Sequence, residues 1–254
     1  MNEAKNHVAP RLEVGPQRGD GKSVCEILLD RGSGEMPAGL QKVLELFSRG
    51  AECGMFRSDS NSSLSPAFHL LGHNVRPDKS RASWRYEGNH IGYSAYRVLI
   101  SLLRQMPSGF ASSLFVRINA ESDQQGPQAG LIALSAFTLT RASQIPFNLE
   151  DEASEPPKKQ TVVIIYTWDE LREDVKIRVI KGLDAWADIV MAGGFKDDSG
   201  KGEVRLIEQY QTGPKSVECS IFGSEFSSAV LDSLVNVLVL MHETTLKIES
   251  VEID

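Results

Sequence analysis

The sequence predicts an α+β protein built from two tandem βαββαβ repeats. The region 43–118 can be laid over the region 179–253 almost without gaps, at an offset of about 135 residues, which indicates an internal duplication. In both regions, apolar residues recur with the period of a strand in short segments and with the period of a helix in longer ones. Gly88 falls on Gly223 and Met106 falls on Met241, so the match extends to individual residues.

Each repeat begins with a buried strand and an amphipathic helix. The strand is predicted over 25–29 in the first repeat and over 161–165 in the second, because both are apolar runs of strand length. Apolar residues at helical spacing then predict a helix over 40–51 and its counterpart over 175–190. The segment 167–170, Thr-Trp-Asp-Glu, has the form of a capping box before the second of these helices.

Two further strands, a second helix and a last strand complete each repeat. These elements are predicted over 68–75, 82–87, 95–103 and 114–118, matched in the second repeat by 203–210, 217–222, 230–238 and 246–253. Asn89 and Ser224 occupy equivalent positions before the two helices and are predicted as their N-caps. The order of elements is that of two ferredoxin-like α+β sandwiches in tandem.

The segments outside the two repeats have predictions of their own. Residues 1–22 are rich in glycine, proline and charge, and they predict a flexible N-terminal arm. The first repeat spans 23–141 together with an extra β-hairpin, in which the apolar segment 130–139 pairs back onto the strand before it. Residues 142–160 predict a linker, and the second repeat spans 161–254.

Composition favours a cytoplasmic protein that binds neither nucleic acid nor a membrane. The 254 residues carry a net charge of −7 and no basic run beyond Lys158-Lys159, whereas a nucleic-acid partner needs a basic face. The N-terminus lacks the apolar core of a secretory signal, and the longest apolar stretch, 229–241, is too short to cross a bilayer. The three cysteines have unrelated spacings, which favours reduced thiols in a cytoplasm.

Two glycine–lysine segments invite comparison with a phosphate-binding loop, and neither fits it. That loop joins a strand to a helix and presents a serine or threonine directly after the lysine. The segment 19–23 is followed by a predicted strand, and in the segment 194–202 a glycine stands where the serine or threonine is needed. We therefore predict no nucleotide site and no cofactor.

Neither a metal site nor a catalytic set is evident. His69 and His73 have the spacing of a helical zinc site, but their segment predicts a strand. At a rise of roughly 3.3 Å per residue, strand residues four apart lie about 13 Å from one another, too far to share a metal. No nucleophile lies in a recognisable constellation, and Cys53 and Cys219 are interpreted as packing residues. We predict no metal ligand and no catalytic residue, and we lean against enzymatic activity.

The two repeats differ in side-chain chemistry, and the difference indicates a candidate binding surface. Where the second repeat has aliphatic, small or acidic residues, the first has aromatic, imidazole or guanidinium groups. Such groups are common in binding surfaces because they combine contact area with a polar atom. The other interpretation is a bulky, partly buried core face. The predicted binding residues are Trp84, Tyr86, His90, Tyr93, Arg97 and His73.

These observations predict a non-enzymatic protein-binding module that contacts a protein partner through exposed aromatic and acidic groups. An immunity-like or inhibitory protein that caps its partner is the most specific form of this hypothesis. The alternative is an enzyme or small-molecule sensor with a pocket on the first repeat. A third and weaker hypothesis is an RNA-binding or assembly subunit, since the architecture is similar to that of CRISPR repeat-processing endoribonucleases. Those proteins carry a glycine-rich loop near the end of the second domain that this sequence lacks.

Overall fold

The computed structural model contains two β-sheets and four helices in the residues it describes, which confirms the α+β class. The described residues are 10–15, 22–30, 35–57, 66–75, 81–92, 94–107, 110, 113–118, 141–151, 160–196, 204–207, 211–223 and 228–254. None of the helices in these ranges is both long enough and apolar enough to span a membrane.

The first sheet has five strands and is covered by two helices, α1 (Ala38–Glu52) and α2 (Ala95–Arg104). Its strands are β1 (Arg11–Val14), β2 (Lys22–Asp30), β3 (Ala67–Val75), β4 (Arg81–Asn89) and β5 (Leu114–Ile118). They lie side by side in the order β1-β5-β2-β4-β3. The pairs β2–β4, β2–β5 and β3–β4 are antiparallel, whereas β1 is parallel to β5. β3 is therefore the edge strand farthest from β1.

The second sheet repeats this arrangement with helices α3 (Glu173–Met191) and α4 (Ser228–Thr244). Its strands are β6 (Asn148–Asp151), β7 (Gln160–Thr167), β8 (Val204–Ile207), β9 (Gln211–Thr212), β10 (Ser216–Gly223) and β11 (Ile248–Ile253). They lie in the order β6-β11-β7-β10-β8, with the short β9 also paired to β10. Position by position, this is the order of the first sheet.

Each sheet has an outer strand that the sequence analysis missed. β1 lies inside the predicted arm 1–22 and β6 inside the predicted linker 142–160, so neither prediction holds for these residues. Both strands pair in parallel with the last strand of their own repeat, Leu12 opposite Val116 and Leu149 opposite Val251. The predicted hairpin segment 130–139 lies outside the described residues.

The predicted helix caps are wrong wherever the structure describes them. Asn89 is the last residue of β4, and α2 begins only after a further turn of chain. Thr167 ends β7, and its hydroxyl donates to the carbonyl of Asp169 at 2.8 Å instead of accepting from a helix amide. The Asn89 amide donates instead to the carboxylate of Glu87 in its own strand, at 3.2 Å. Ser224 lies outside the described residues.

The helices of the two repeats pack into one continuous core. α1 contacts α3 of the other repeat as well as α2 and β3 of its own. Gly50 of α1 lies against Ile189 of α3, whose Cδ1 atom occupies the space that a larger side chain would need. Trp186 of α3 is fully buried, and its Nε1 donates to the hydroxyl of Ser233 on α4 at 2.9 Å. Burial of apolar surface between the repeats thus stabilises both halves together.

The contacts between the repeats are reciprocal. The turn after α1 contains Gly54 at φ +88°, packed against Leu240 of α4. The turn after α3 contains Gly193 at φ +82°, packed against Gln105, which directly follows the last residue of α2. The first helix of each repeat therefore ends against the second helix of the other repeat. At this interface the two repeats are related by an approximate two-fold rotation.

Polar groups complete the contact between the repeats. Arg57 is buried and makes two hydrogen bonds to the carboxylate of Glu243, at 2.8 and 3.3 Å. Arg49 of α1 and Asp188 of α3 are 139 residues apart in sequence and form an ion pair at 3.0 Å. The Ser101 hydroxyl of α2 lies 2.7 Å from a carbonyl of the turn after α3. These bonds supply directional contacts that apolar packing lacks.

Candidate functional site

A groove of about 630 Å³ opens between α1 and β3 of the first repeat, with β4 forming its floor. Because β3 ends the sheet on this side, it has a strand neighbour only on its β4 side within the described part of the chain. α1 is the crossover between β2 and β3, which both pair antiparallel with β4, so α1 runs antiparallel to β3. The groove is thus a channel between a helix and a sheet edge.

The floor of the groove consists of two aromatic side chains held by the core. Trp84 and Tyr86 are 3% and 8% exposed. The ring of Tyr86 stacks on that of Phe68 with centroids 4.7 Å apart, and Phe68 meets Phe47 edge to face at 4.9 Å. Burial raises the pKa of Tyr86 to about 12, so its phenol is neutral at physiological pH. The floor is therefore fixed in position and uncharged.

The rim along β3 carries two exposed leucines at a β-bulge. Leu70 and Leu71 are 50% and 49% exposed, unusual values for large apolar side chains in a strand. The register steps from Leu70 opposite Tyr86 to Gly72 opposite Arg85, which leaves Leu71 as the extra residue. Bulges of this kind redirect a side chain and interrupt regular pairing. Leu70 lines the groove, and Leu71, the next residue along the strand, is exposed at the bulge.

Cross-strand pairing brings three of the predicted binding residues together. Residues directly opposite one another on neighbouring strands share a face of the sheet. Leu70 lies opposite Tyr86 and His73 opposite Trp84, so both project on the groove side of the sheet, above the aromatic floor. His73 is exposed. The structure therefore joins Trp84, Tyr86 and His73 in one site.

The wall contributed by α1 is polar and acidic. Four residues at helical spacing form a polar stripe along the groove, and a third carboxyl-bearing residue precedes the helix; together they are Gln41, Glu45, Ser48, Glu52 and Glu35. The Gln41 amide donates to Glu45 at 2.7 Å, and the Ser48 hydroxyl donates to the carbonyl of Phe68 at 2.6 Å. No lysine or arginine lines the groove in the described part of the chain. Its charge is therefore negative at neutral pH.

The other predicted binding residues lie away from this groove. His90 follows β4, is half-buried and has φ 54°, a left-handed conformation that histidine adopts more readily than most residues. Arg97 is half-buried on α2, and Tyr93 lies outside the described residues. The expectation of exposed aromatic contacts is also wrong for Trp84 and Tyr86, because the helix layer covers their face of β4.

The motifs rejected on sequence grounds have structural roles. Ser23 stands in β2, where its buried hydroxyl donates to the Gly88 carbonyl at 3.2 Å and hydrogen bonds with the Tyr96 hydroxyl. His69 and His73 stand in β3, opposite Glu87 and Trp84. The described residues contain no cluster of three or more histidine, cysteine or acidic residues that could hold a metal ion.

The cysteines have the environment of packing residues. Cys25 and Cys219 are buried, and Cys53 donates its thiol proton to the carbonyl of Gly50. Burial raises the pKa of Cys53 and of Cys219 to about 12 and raises that of Cys25 further. Since the thiolate is the reactive form, these thiols are poor nucleophiles in the folded protein.

We expect the folded protein to resist labelling by a disulfide reagent such as DTNB at about pH 8, while the urea-unfolded chain labels at all three cysteines. Unfolded thiols have pKa values near 8.5 and ionise, whereas the buried thiols stay protonated. Raising the pH to about 9.5 should therefore speed labelling of the unfolded chain and leave native labelling slow. Rapid reaction of a native thiol at pH 8 would contradict this assignment.

Sequence reasoning missed the helix wall and the leucine rim. The polar stripe at 41, 45, 48 and 52 was visible beside the apolar stripe of α1, but a polar helix face is ordinarily solvated. Leu70-Leu71-Gly72 breaks the alternation expected of a strand, and a glycine inside a strand suggests a bulge. The polar stripe of the helix and the broken alternation of the strand, taken together, would have located the groove.

Comparison with known proteins gives no family for this chain. No family model and no curated protein matches it. Among solved structures, an unknown protein from Galdieria sulphuraria is 8% identical, with 92% of this chain and 96% of that chain covered and a TM-score of 0.23. A protease from Helicobacter pylori is 8% identical, with 92% and 77% covered and a TM-score of 0.23. A peptidase M16 inactive domain from Pseudomonas fluorescens is 10% identical, with 96% and 79% covered and a TM-score of 0.20. Likenesses of this size establish neither fold nor activity.

Proposed function

We propose that this chain is a non-enzymatic protein-binding module and that its contact surface is the groove between α1 and β3. The observation that carries the proposal is the half-exposed leucine pair on an edge strand, beside a fixed aromatic floor. Exposed apolar side chains next to a preformed apolar surface gain free energy when a partner removes them from water. The immunity-like or inhibitory form of the proposal adds that the acidic helix wall covers a basic surface of the partner.

The proposal includes the ferredoxin-like description of each half. Its support is the strand order, in which the last, first, third and second strands of each βαββαβ unit lie side by side. In both halves a helix joins the first strand to the second, and another joins the third to the fourth. The parallel strands β1 and β6 are additions at the outer edge of each unit.

An affinity experiment on the leucine rim tests the proposed function. The tagged wild-type protein should recover one stoichiometric partner from a lysate of its source organism at physiological salt. The variant Leu70→Asp/Leu71→Asp should recover at least about tenfold less, because a buried unpaired carboxylate is costly. Ile177→Asp on α3 is the matched control, since Ile177 is also about half exposed and lies in the other repeat.

Both variants should keep the circular dichroism of the wild type, because the replaced side chains are exposed. Recovery of the same partner by the double aspartate variant would exclude the groove as the contact surface. A wild-type protein that recovers no partner would exclude the proposed function itself.

The volume of the groove also favours a second candidate function, the binding of a small molecule. Small-molecule sites typically occupy about 300–1,000 Å³, and this groove lies within that range. A thermal-shift screen separates the two candidates, because a ligand that binds only the folded state raises its melting temperature. A hit that Leu70→Asp/Leu71→Asp abolishes would favour the small-molecule function.

A further inference from the structure

We propose that the groove binds an extended, basic segment of the partner, which adds to β3 as a further strand. This inference rests on the proposed function and specifies the chemistry and the conformation of what is bound. Extended peptides bind in this way to other domains when an edge strand lies beside a helix and leaves its outer backbone groups free.

The first support is the position of β3 in the sheet. Within the described residues it pairs with β4 on one side and faces the groove on the other. An edge strand offers a row of backbone donors and acceptors to any chain that lies beside it. Such edges are often protected by lysine or proline, and the described sequence of β3, Ala-Phe-His-Leu-Leu-Gly-His-Asn-Val, contains neither.

Local contacts place the added strand at the C-terminal end of β3. Near the N-terminal end, the hydroxyl of Ser48 already donates to the carbonyl of Phe68 and holds α1 against the strand. The bulge at Leu71 then interrupts regular pairing, so continuous pairing is expected over 72–75. Since α1 runs antiparallel to β3, the residues before Ser48 flank this end of the strand. They include Glu45 and, before the helix, Glu35.

Charge complementarity selects the chemistry of the segment. Glu35 and Glu45 face the free end of β3, and no arginine or lysine among the described lining residues neutralises them. Side chains of an added strand alternate between its two faces. The side chains on the α1 face would therefore be lysine or arginine, whereas those between them point to the opposite face of the sheet and can be apolar. An acidic segment would meet like charges instead.

Fluorescence polarisation with labelled hexapeptides tests the inference on the full-length protein. The probe is Lys-Val-Lys-Val-Lys-Val with capped ends, compared with Glu-Val-Glu-Val-Glu-Val. A third peptide has the basic sequence with alternate backbone nitrogens methylated on the edge that would pair with β3. The basic peptide should bind at least about tenfold more tightly than either of the others, because charge and backbone pairing are both required.

Protein variants separate the groove from the general negative charge of the chain. Glu35→Gln/Glu45→Gln should weaken binding of the basic peptide by about three- to tenfold. Glu170→Gln/Glu173→Gln makes the same change of net charge at exposed positions of the second repeat and should alter binding less than about twofold. Equal losses in both variants would overturn the assignment to the groove.

The remaining outcomes distinguish this inference from the proposed function. Equal binding of the methylated peptide would overturn strand addition, and equal binding of the acidic peptide would overturn the charge preference. If no hexapeptide binds while Leu70→Asp/Leu71→Asp still abolishes recovery of the protein partner, the strand inference is wrong and protein binding through the groove stands. If that variant leaves recovery unchanged, the groove is not the contact surface and both proposals fail there.

Discussion

Replacing Trp186 with alanine should lower the free energy of unfolding by about 4 kcal/mol, the typical cost of removing a large aromatic side chain from a core. Trp186 is fully buried on α3 and belongs to the hydrophobic core that the two repeats share. The substitution leaves a cavity and also removes the hydrogen bond from Nε1 to Ser233. At about 2–4 °C per kcal/mol for a chain of this size, the melting temperature should fall by roughly 10 °C.

Circular dichroism at increasing urea concentration measures this change without relying on tryptophan fluorescence. Trp168→Ala is the control, because Trp168 is 60% exposed and its replacement should change the free energy of unfolding by less than about 0.5 kcal/mol. The packing assignment would be wrong if both variants lost similar stability, or if Trp186→Ala lost less than about 1 kcal/mol.

Gly54→Ala should destabilise the protein by about 3 kcal/mol, and the equivalent change Gly193→Ala by only about 1–2 kcal/mol. Both glycines have φ between +80° and +90°, where a side chain costs free energy in either case. At Gly54 the new Cβ would also lie 2.8 Å from the Cβ of Leu240, an atom close to the backbone of a buried helix. At Gly193 its nearest neighbours are side-chain atoms of the exposed Gln105, at 3.2 Å, which can move away.

Urea unfolding of the two alanine variants measures the difference directly. Both variants carry the free-energy cost of a side chain at positive φ. The difference between their losses of unfolding free energy therefore measures the steric contact between the repeats. Equal losses would mean that α4 yields as easily as the Gln105 side chain does, and the shared core would then be less tightly packed than the contacts of Gly54 require. Gly72→Ala is a reference for replacing a glycine where the new side chain makes no steric contact, since nothing lies within 4 Å of its Cβ position.

The order of secondary structure was predictable because hydrophobic period reports which residues face a core. The helix around Leu44 and Phe47 and the strand around Ile27 were visible from spacing alone, and the structure places all three residues in the core. Alignment with the second repeat also identified β3 as a strand despite its two histidines.

The outer strands β1 and β6 were not predictable from local pattern. Each has four residues, and each is held by parallel pairing with a strand more than a hundred residues away in the sequence. A segment that short carries too little periodicity to separate a strand from a loop. Its conformation is decided by a long-range partner, and a single sequence does not name that partner.

The candidate site was predicted in part, for a similar reason. Alternation on β4 correctly placed Trp84 and Tyr86 on one face, but alternation cannot tell a face under a helix from an exposed one. That choice depends on where α1 packs. The structure places these two residues on the floor of the groove, and the contact surface that we propose consists instead of Leu70, Leu71 and the acidic side of α1.

The ion pair between Arg49 and Asp188 has a consequence for how the two repeats came to differ. Each residue stands five positions before the positive-φ glycine of the turn that follows its helix, Gly54 or Gly193, so the two occupy equivalent positions of α1 and α3 and meet where the repeats contact each other. In a symmetric dimer of identical subunits, a residue at such a point faces its own copy, so arginine would meet arginine or aspartate would meet aspartate. Opposite charges can meet there only when two separate codons specify the two positions. When the two halves are joined in one polypeptide, two equivalent positions that face each other can therefore carry opposite charges. For the same reason, every other pair of equivalent positions in the two repeats can carry different residues.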